Sequence, residues 1–129
     1  MLESLITLLP LLSGFLRDSA KKRRLADEHG QRAVEAILRA INETRFYIAY
    51  QSRGNARDQK REEELSRRWT DAAGALRGID DDLARRARLK GEYWTDPDQW
   101  DIEKVKEARI LLTQVEKDAD NLLGWSDAR

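Results

Sequence analysis

Apolar side chains recur at alternating steps of three and four residues in three separate stretches of this 129-residue chain. This spacing keeps side chains on one stripe of an α-helix. Each stripe has to be buried against another surface, most simply against the other two. The members of the three stripes are Val34, Ile37, Ile41, Thr44 and Ile48; Leu65, Trp69, Ala72, Leu76, Ile79 and Leu83; and Val105, Ala108, Leu112, Val115, Ala119 and Leu122.

The composition also favours long helices, because the chain contains only 7 Gly and 2 Pro. Opposite the stripes, carboxylates precede arginines by four residues, as in Glu28/Arg32 and Asp82/Arg86, which is typical of a solvated helix face. The length is that of one domain. We therefore expect a single domain over residues 1–129. Its predicted fold is an all-α, antiparallel four-helix bundle with long helices near residues 2–16, 20–53, 56–90 and 97–123.

Helix boundaries are predicted from capping residues. Gly54 is placed where a left-handed residue closes a helix, and Asn55 is a candidate N-cap for the next helix. Gly91 is expected to close that helix. Asp96 is the predicted N-cap of the last helix, with Pro97 as its first residue.

The boundary between the first two helices stays open. Either Asp18 or Ser19 caps a second helix after a break at Gly14, or one helix runs from Pro10 to Arg53. The break is the preferred interpretation.

The opening stretch "MLESLITLLPLLSGFL" is unusually apolar. It does not resemble a secretion signal, because Glu3 stands where a cationic region is expected. As a helix, residues 2–16 would rise about 22 Å, too little to span a hydrocarbon layer of about 30 Å. We expect an amphipathic helix whose apolar side is wider than a core-facing stripe.

Two explanations of that width remain. The helix is buried by the other helices or by another copy of the chain, or it is exposable and contacts a partner or an anionic membrane beside the basic run "KKRR". The predicted contact residues are Leu5, Leu8, Leu9, Leu12, Phe15, Lys21, Lys22, Arg23 and Arg24.

The only histidine, His29, completes the hexapeptide "RLADEH". This hexapeptide resembles the Arg-x4–6-His motif of HEPN-type helical ribonucleases. The resemblance implies that Arg24 would steady phosphate charge and that His29 would transfer or position a proton, without a metal. The alternative is a surface histidine beside Glu28 and Arg32.

Aromatic residues cluster near the predicted helix ends. Phe46, Tyr47 and Tyr50 end one helix, and further rings flank the last connection or lie near the C-terminus, at Tyr93, Trp94, Trp100 and Trp125. These rings either cap the core with one polar edge in water or form a patch that binds a partner.

Charge and composition restrict the other classes of function. The formal net charge is zero and acidic residues are interleaved with most basic ones, so a nucleic-acid partner is not favoured. The runs Glu62–Glu64 and Asp80–Asp82 cannot converge on one ion, because successive helical residues point about 100° apart. No cofactor, metal or small-molecule substrate is indicated. The absence of Cys fits a cytoplasmic location, with a peripheral membrane association as an alternative.

The expected function is that of a non-enzymatic helical-bundle interaction module, acting through contacts with a protein partner or by self-association. The alternative is a membrane-associating or membrane-perturbing bundle acting through residues 2–16. The HEPN-like ribonuclease is the third hypothesis.

Overall fold

A computed structural model describes residues 27–124, in which the chain is all-α. This range contains five α-helices: α1 (Glu28–Ser52), α2 (Gln59–Leu76), α3 (Asp81–Thr95), α4 (Ile102–Glu107) and α5 (Leu112–Leu123). A single 3-10 turn, Pro97–Gln99, links α3 to the short α4. Helices α1, α2, α3 and α5 pack against one another, which confirms the predicted helical bundle.

Side-chain contacts show that neighbouring helices run antiparallel. His29, at the start of α1, bonds to Ala75 at the end of α2, whereas Tyr47, near the end of α1, bonds to Glu62 at the start of α2. Between α2 and α3, the Ser66 hydroxyl contacts both Gly91 and Thr95. Helix α2 thus folds back along α1, and α3 folds back along α2.

The core lies between these helices and contains all of the second predicted stripe. Leu65, Trp69, Ala72, Leu76, Ile79 and Leu83 are all buried. In the first stripe Ile37, Ile41 and Thr44 are buried, but Ile48 is 45% exposed. The Trp69 indole N–H donates to the Thr44 hydroxyl at 2.9 Å, so the polar member of that stripe is paired inside the core.

The predicted helix over 56–90 is wrong, because the chain turns back at residues 77–79. Gly78 has a φ of 82°, in the left-handed region that ends helices, and its N–H donates to the Asp81 carboxylate. Asp80 then caps α3 by accepting from the Leu83 N–H. These aspartates form a helix start rather than part of a solvated helix face.

The prediction that Gly91 closes a helix is also wrong. Gly91 is buried inside α3, which continues to Thr95. A Cβ atom at Gly91 would lie 2.7 Å from the Thr70 hydroxyl oxygen and 3.2 Å from the Ser66 carbonyl oxygen. The glycine therefore lets α2 and α3 approach closely.

The predicted last helix, 97–123, is divided into the 3-10 turn, α4 and α5. Asp96 makes no side-chain capping bond, whereas Asp101 caps α4 by accepting from the Lys104 N–H. Arg109, with a φ of 60°, separates α4 from α5. The predicted end near Gly124 is confirmed, since Gly124 lies in the left-handed region.

Two buried cations hold the connection between α4 and α5. Arg86, 1% exposed, donates from Nε to the Arg109 carbonyl at 2.9 Å, and Lys90, 5% exposed, donates to the Ile110 carbonyl at 2.6 Å. The sequence pattern predicted a solvated helix face for Arg86, which is wrong because Arg86 is buried. Both cations satisfy carbonyls that the break between helices leaves without a helical partner.

The other helix starts also differ from the predictions. Asn55 is not the N-cap of α2: its amide donates to the Tyr50 carbonyl, and Asp58 caps α2 by accepting from the Arg61 N–H. Gly54, with a φ of 91°, follows α1 as predicted. Asp27 has an extended backbone and caps α1, which begins at Glu28, so the predicted helix over 20–53 and the alternative helix from Pro10 to Arg53 are both wrong.

Candidate interaction surface

The aromatic residues of three segments meet at one end of the bundle. There α1 ends, α2 begins and α3 gives way to the 3-10 turn. Ring centroids are 6.2 Å apart for Tyr47 and Tyr50, 5.5 Å for Tyr47 and Trp94, and 4.9 Å for Tyr93 and Trp94. Trp100 extends this series, with its centroid 6.1 Å from that of Tyr93. The sequence placed these rings near helix ends, and the fold brings them together at one end of the bundle.

A buried carboxylate anchors this cluster. Glu62 is 4% exposed and accepts a hydrogen bond from the Tyr47 hydroxyl. The Arg57 guanidinium donates to the same carboxylate through Nε at 3.0 Å and Nη2 at 2.8 Å. Because both partners satisfy the buried charge, the network fixes α1 against the start of α2.

The network extends beyond the carboxylate on both sides. The Tyr47 hydroxyl oxygen accepts from the Asp58 N–H at 2.9 Å, next to the α2 cap. Arg57 also donates from Nη1 to Asp98 in the 3-10 turn at 2.9 Å. One arginine thus joins the α1–α2 connection to the turn after α3.

The environment shifts the ionisation of these groups. The hydrogen bond from Arg57 lowers the pKa of Glu62, against the opposing effect of burial. Burial and the bond to Glu62 raise the pKa of Tyr47. At neutral pH Glu62 is therefore a carboxylate and Tyr47 a neutral donor, which is the pairing that the geometry requires.

The outer layer of this end is partly exposed. The Arg61 guanidinium carbon lies 4.3 Å from the Tyr50 ring centroid and 5.3 Å from that of Tyr47, in a cation–π arrangement. Phe46 is 70% exposed on the same part of α1. We call Phe46, Tyr50 and Arg61 the aromatic surface.

A groove runs beside the aromatic surface between α1 and α2. It encloses about 320 Å³ and is lined by Glu43, Phe46, Tyr47, Arg61, Glu64 and Leu65. Glu43 and Glu64 both pair with Arg68, which closes the groove toward the middle of the bundle. The groove has an aromatic wall and a mixed-charge rim, as protein interfaces commonly do.

Trp100 forms a neighbouring contact. The Lys104 amine lies 4.5 Å from its ring centroid, and Trp100 is partly exposed. Ile102, in α4, is 56% exposed. Both side chains belong to the segment after α3, and neither lines the Phe46 groove.

Glu62 and Arg61 were missed as site residues, although a signal for Glu62 was present. Glu62 lies three residues before Leu65, so it continues the stripe Leu65, Trp69, Ala72 and Leu76. A carboxylate on a buried stripe needs a partner. The partners come from α1 and from the connection after it, and sequence spacing cannot identify them.

The contact residues predicted from the opening stretch lie outside the described residues. These are Leu5, Leu8, Leu9, Leu12, Phe15, Lys21, Lys22, Arg23 and Arg24. Trp125 also lies outside them.

The ribonuclease hypothesis involves one described residue, His29, because Arg24 lies outside the described range. The His29 Nε2 donates to the Ala75 carbonyl at 2.8 Å, near the end of α2. Glu28 and Arg32 form an exposed ion pair beside it, with N and O atoms 3.5 Å apart. The described contact of His29 is thus one that joins two helices.

Two features are absent from residues 27–124. These residues contain no group of three or more His, Asp or Glu side chains placed to hold a metal ion. None of the helices described there is both long and apolar enough to cross a membrane.

No protein-family model matches the chain, and neither characterised proteins nor solved structures provide a match.

Proposed function

We propose that this chain is a non-enzymatic interaction module that binds a protein through its aromatic surface. The observation that carries the proposal is the 70% exposure of Phe46 beside Tyr50 and Arg61, on a rigidly anchored end of the bundle. Aromatic and arginine side chains dominate the binding energy of protein interfaces.

The anchoring supports this proposal. Tyr47 lies beneath the aromatic surface and is held by Glu62 and by the Asp58 N–H. The Arg61 guanidinium lies against both the Tyr50 ring and the Tyr47 ring. Side chains that are ordered before binding lose less conformational entropy when a partner arrives.

The partner in this proposal is a folded protein or a second copy of the chain. Glu43, Glu64 and Arg61 around the groove can pair with charges of either sign at the rim of an interface. The aromatic centre then supplies the apolar contact.

Site-specific photo-cross-linking tests the proposal. A photoreactive amino acid replaces Phe46 in one variant and Ile102, which is 56% exposed, in a matched control. We expect position 46 to yield a discrete protein adduct in cells, and Arg61→Ala to weaken that adduct. Equal adducts at both positions, or none at position 46, would contradict the proposal.

Two further arms separate the competing hypotheses. In the first arm, the purified chain is incubated with anionic vesicles at low salt. In the second arm, the parent and the His29→Ala variant are each incubated with RNA. Vesicle binding that Phe46→Ser leaves unchanged would favour a membrane-associating bundle. Cleavage of RNA that His29→Ala abolishes would favour the ribonuclease.

A further inference from the structure

A second apolar surface lies on the opposite side of α1, where it faces α5. Arg45 of α1 pairs with Glu116 of α5, which identifies the sides of the two helices that face each other. Val34, Leu38 and Ile48 lie three to eleven residues from Arg45 at helical spacing, and Leu112 and Leu123 are placed likewise around Glu116. We call these five apolar residues the α1–α5 seam.

The seam is incompletely covered. Val34, Leu38, Leu112 and Leu123 are partly exposed, and Ile48 is 45% exposed. The side of α1 that faces α2 is buried far better, as the positions of Thr44 and Tyr47 show. The seam therefore offers an apolar strip that another helix can cover.

We propose that residues 2–16 of the same chain occupy the α1–α5 seam as an antiparallel helix. Those residues carry a wide apolar side, with Leu5, Leu9, Leu12 and Leu16 among its members. Their other side holds Glu3, Thr7, Pro10 and Gly14, which would face solvent.

Chain connectivity favours this occupant. The chain enters α1 at Asp27, and ten residues, 17–26, separate that point from residue 16. Ten residues can span up to about 33 Å, enough to reverse direction and start back along α1. An attached helix also needs no second molecule, because its effective concentration at the seam is set by the linker.

The lengths agree as well. A helix over residues 2–16 is about 22 Å long, and Val34 and Ile48 are separated by about 21 Å along α1. In an antiparallel arrangement residue 16 lies level with Val34, residue 12 with Leu38, and residue 2 with Ile48. The proposal thus specifies a register as well as a surface.

Paired cysteines test this register, since the chain contains no native Cys. Two full-length variants carry matched pairs: Leu2→Cys with Ile48→Cys, and Leu12→Cys with Leu38→Cys. Two controls exchange the partners: Leu2→Cys with Leu38→Cys, and Leu12→Cys with Ile48→Cys. The exchanged positions are displaced by ten residues, or about 15 Å along the helix.

The variants are treated at low protein concentration with a short thiol cross-linker. Circular dichroism first confirms that each remains helical, which the partial exposure of Leu38 and Ile48 favours. We expect intramolecular links in the two matched pairs, at least tenfold faster than in the exchanged pairs.

Other outcomes overturn the proposal in distinguishable ways. Links between two chains would assign the seam to a second copy, and faster linking of the exchanged pairs would require a parallel arrangement. Equal linking in all four variants, or linking in none, would place residues 2–16 elsewhere. None of these outcomes depends on Phe46 or Arg61, so the proposed function is tested separately.

Discussion

The Lys90 amine donates a hydrogen bond to the Ile110 carbonyl oxygen, 2.6 Å away, inside the protein. Its surroundings are mainly aromatic: the amine lies 5.5 Å from the Tyr93 ring centroid and 5.9 Å from that of Trp69. Burial lowers the pKa of Lys90 to about 8 from the ordinary 10.5. The hydrogen bond from Lys90 therefore fixes the connection before α5, although burying the charged amine is itself unfavourable.

This relationship predicts an unusual pH dependence of stability. Between about pH 8 and 10.5 the unfolded chain binds the Lys90 proton more tightly than the folded chain, so the contribution of Lys90 to stability rises with pH. The expected gain is of the order of 1–3 kcal/mol. Urea unfolding at pH 7, 8, 9 and 10 measures it as the difference between the parent and Lys90→Met.

Taking this difference cancels the opposing effect of Tyr93, whose raised pKa makes its contribution fall at still higher pH. Lys60→Met, at an exposed position, is the control. If the difference in unfolding free energy between the parent and Lys90→Met stays constant from pH 7 to 10, Lys90 is not buried as described.

Glu62→Gln tests the anchor of the aromatic surface. Removing the charge weakens the hydrogen bonds from Arg57 and Tyr47. We therefore expect the free energy of unfolding at pH 7 to fall by roughly 1.5–3 kcal/mol. Because the pKa of Glu62 is lowered in the folded state, this stabilisation is present above its ordinary value of 4.5 and is lost as pH falls through the folded value.

Denaturant unfolding at pH 7 and at pH 3 checks the effect of Glu62→Gln, with the exposed neighbour Glu63→Gln as control. The difference from the parent should shrink at pH 3. Equal losses from both substitutions at pH 7 would refute a special role for Glu62.

Replacing each of two helical glycines by alanine should change the stability of the protein in opposite directions. In Gly91→Ala the new methyl group meets Thr70 and Ser66, and we expect a loss of roughly 1–3 kcal/mol. In Gly74→Ala nothing lies within 4 Å of the new atom, so higher helix propensity should stabilise by about 0.5–1 kcal/mol. Thermal unfolding of both variants tests the close approach of α2 to α3.

Thr70→Ala removes the nearest obstacle to that methyl group. Combined with Gly91→Ala, it should recover part of the loss. Purely additive effects of the two substitutions would contradict the assigned contact.

Leu76→Ala should cost roughly 2–5 kcal/mol, because Leu76 is completely buried in the core. Leu112 belongs to a predicted stripe too, but it is only partly buried at the edge of the core. Leu112→Ala should therefore cost less. Urea unfolding that ranks the two substitutions in the reverse order would show that the core is centred elsewhere.

The apolar periodicity predicts the all-α fold well, and the stripe from Leu65 to Leu83 is buried throughout. The same stripe does not indicate the turn at Gly78, because the spacing of its apolar residues continues in register across the break. The stretch "GIDDD" was the local signal, since Gly78 can adopt a positive φ and Asp80 can cap α3.

The buried charges were harder to predict for a physical reason. Glu62, Arg86 and Lys90 occupy positions that continue apolar stripes, but each bonds to a group distant in sequence. Helical pairing at i,i+4 explains Asp82 with Arg86 only in part, because Arg86 also bonds to Asp118 and to the Arg109 carbonyl. Such partners depend on tertiary packing and not on local spacing. The two rings of the aromatic surface, Phe46 and Tyr50, were predictable as part of an aromatic cluster, whereas Arg61 and the anchor Glu62 were not.

The affinity for the protein captured at position 46 tests the central claim most directly. Isothermal titration compares the parent with Phe46→Ser and with Ile102→Ser, two changes at exposed apolar positions. If the aromatic surface carries the binding energy, Phe46→Ser should raise Kd at least about tenfold while Ile102→Ser leaves it nearly unchanged. Equal Kd values for the parent and Phe46→Ser, with both folded, would contradict the account.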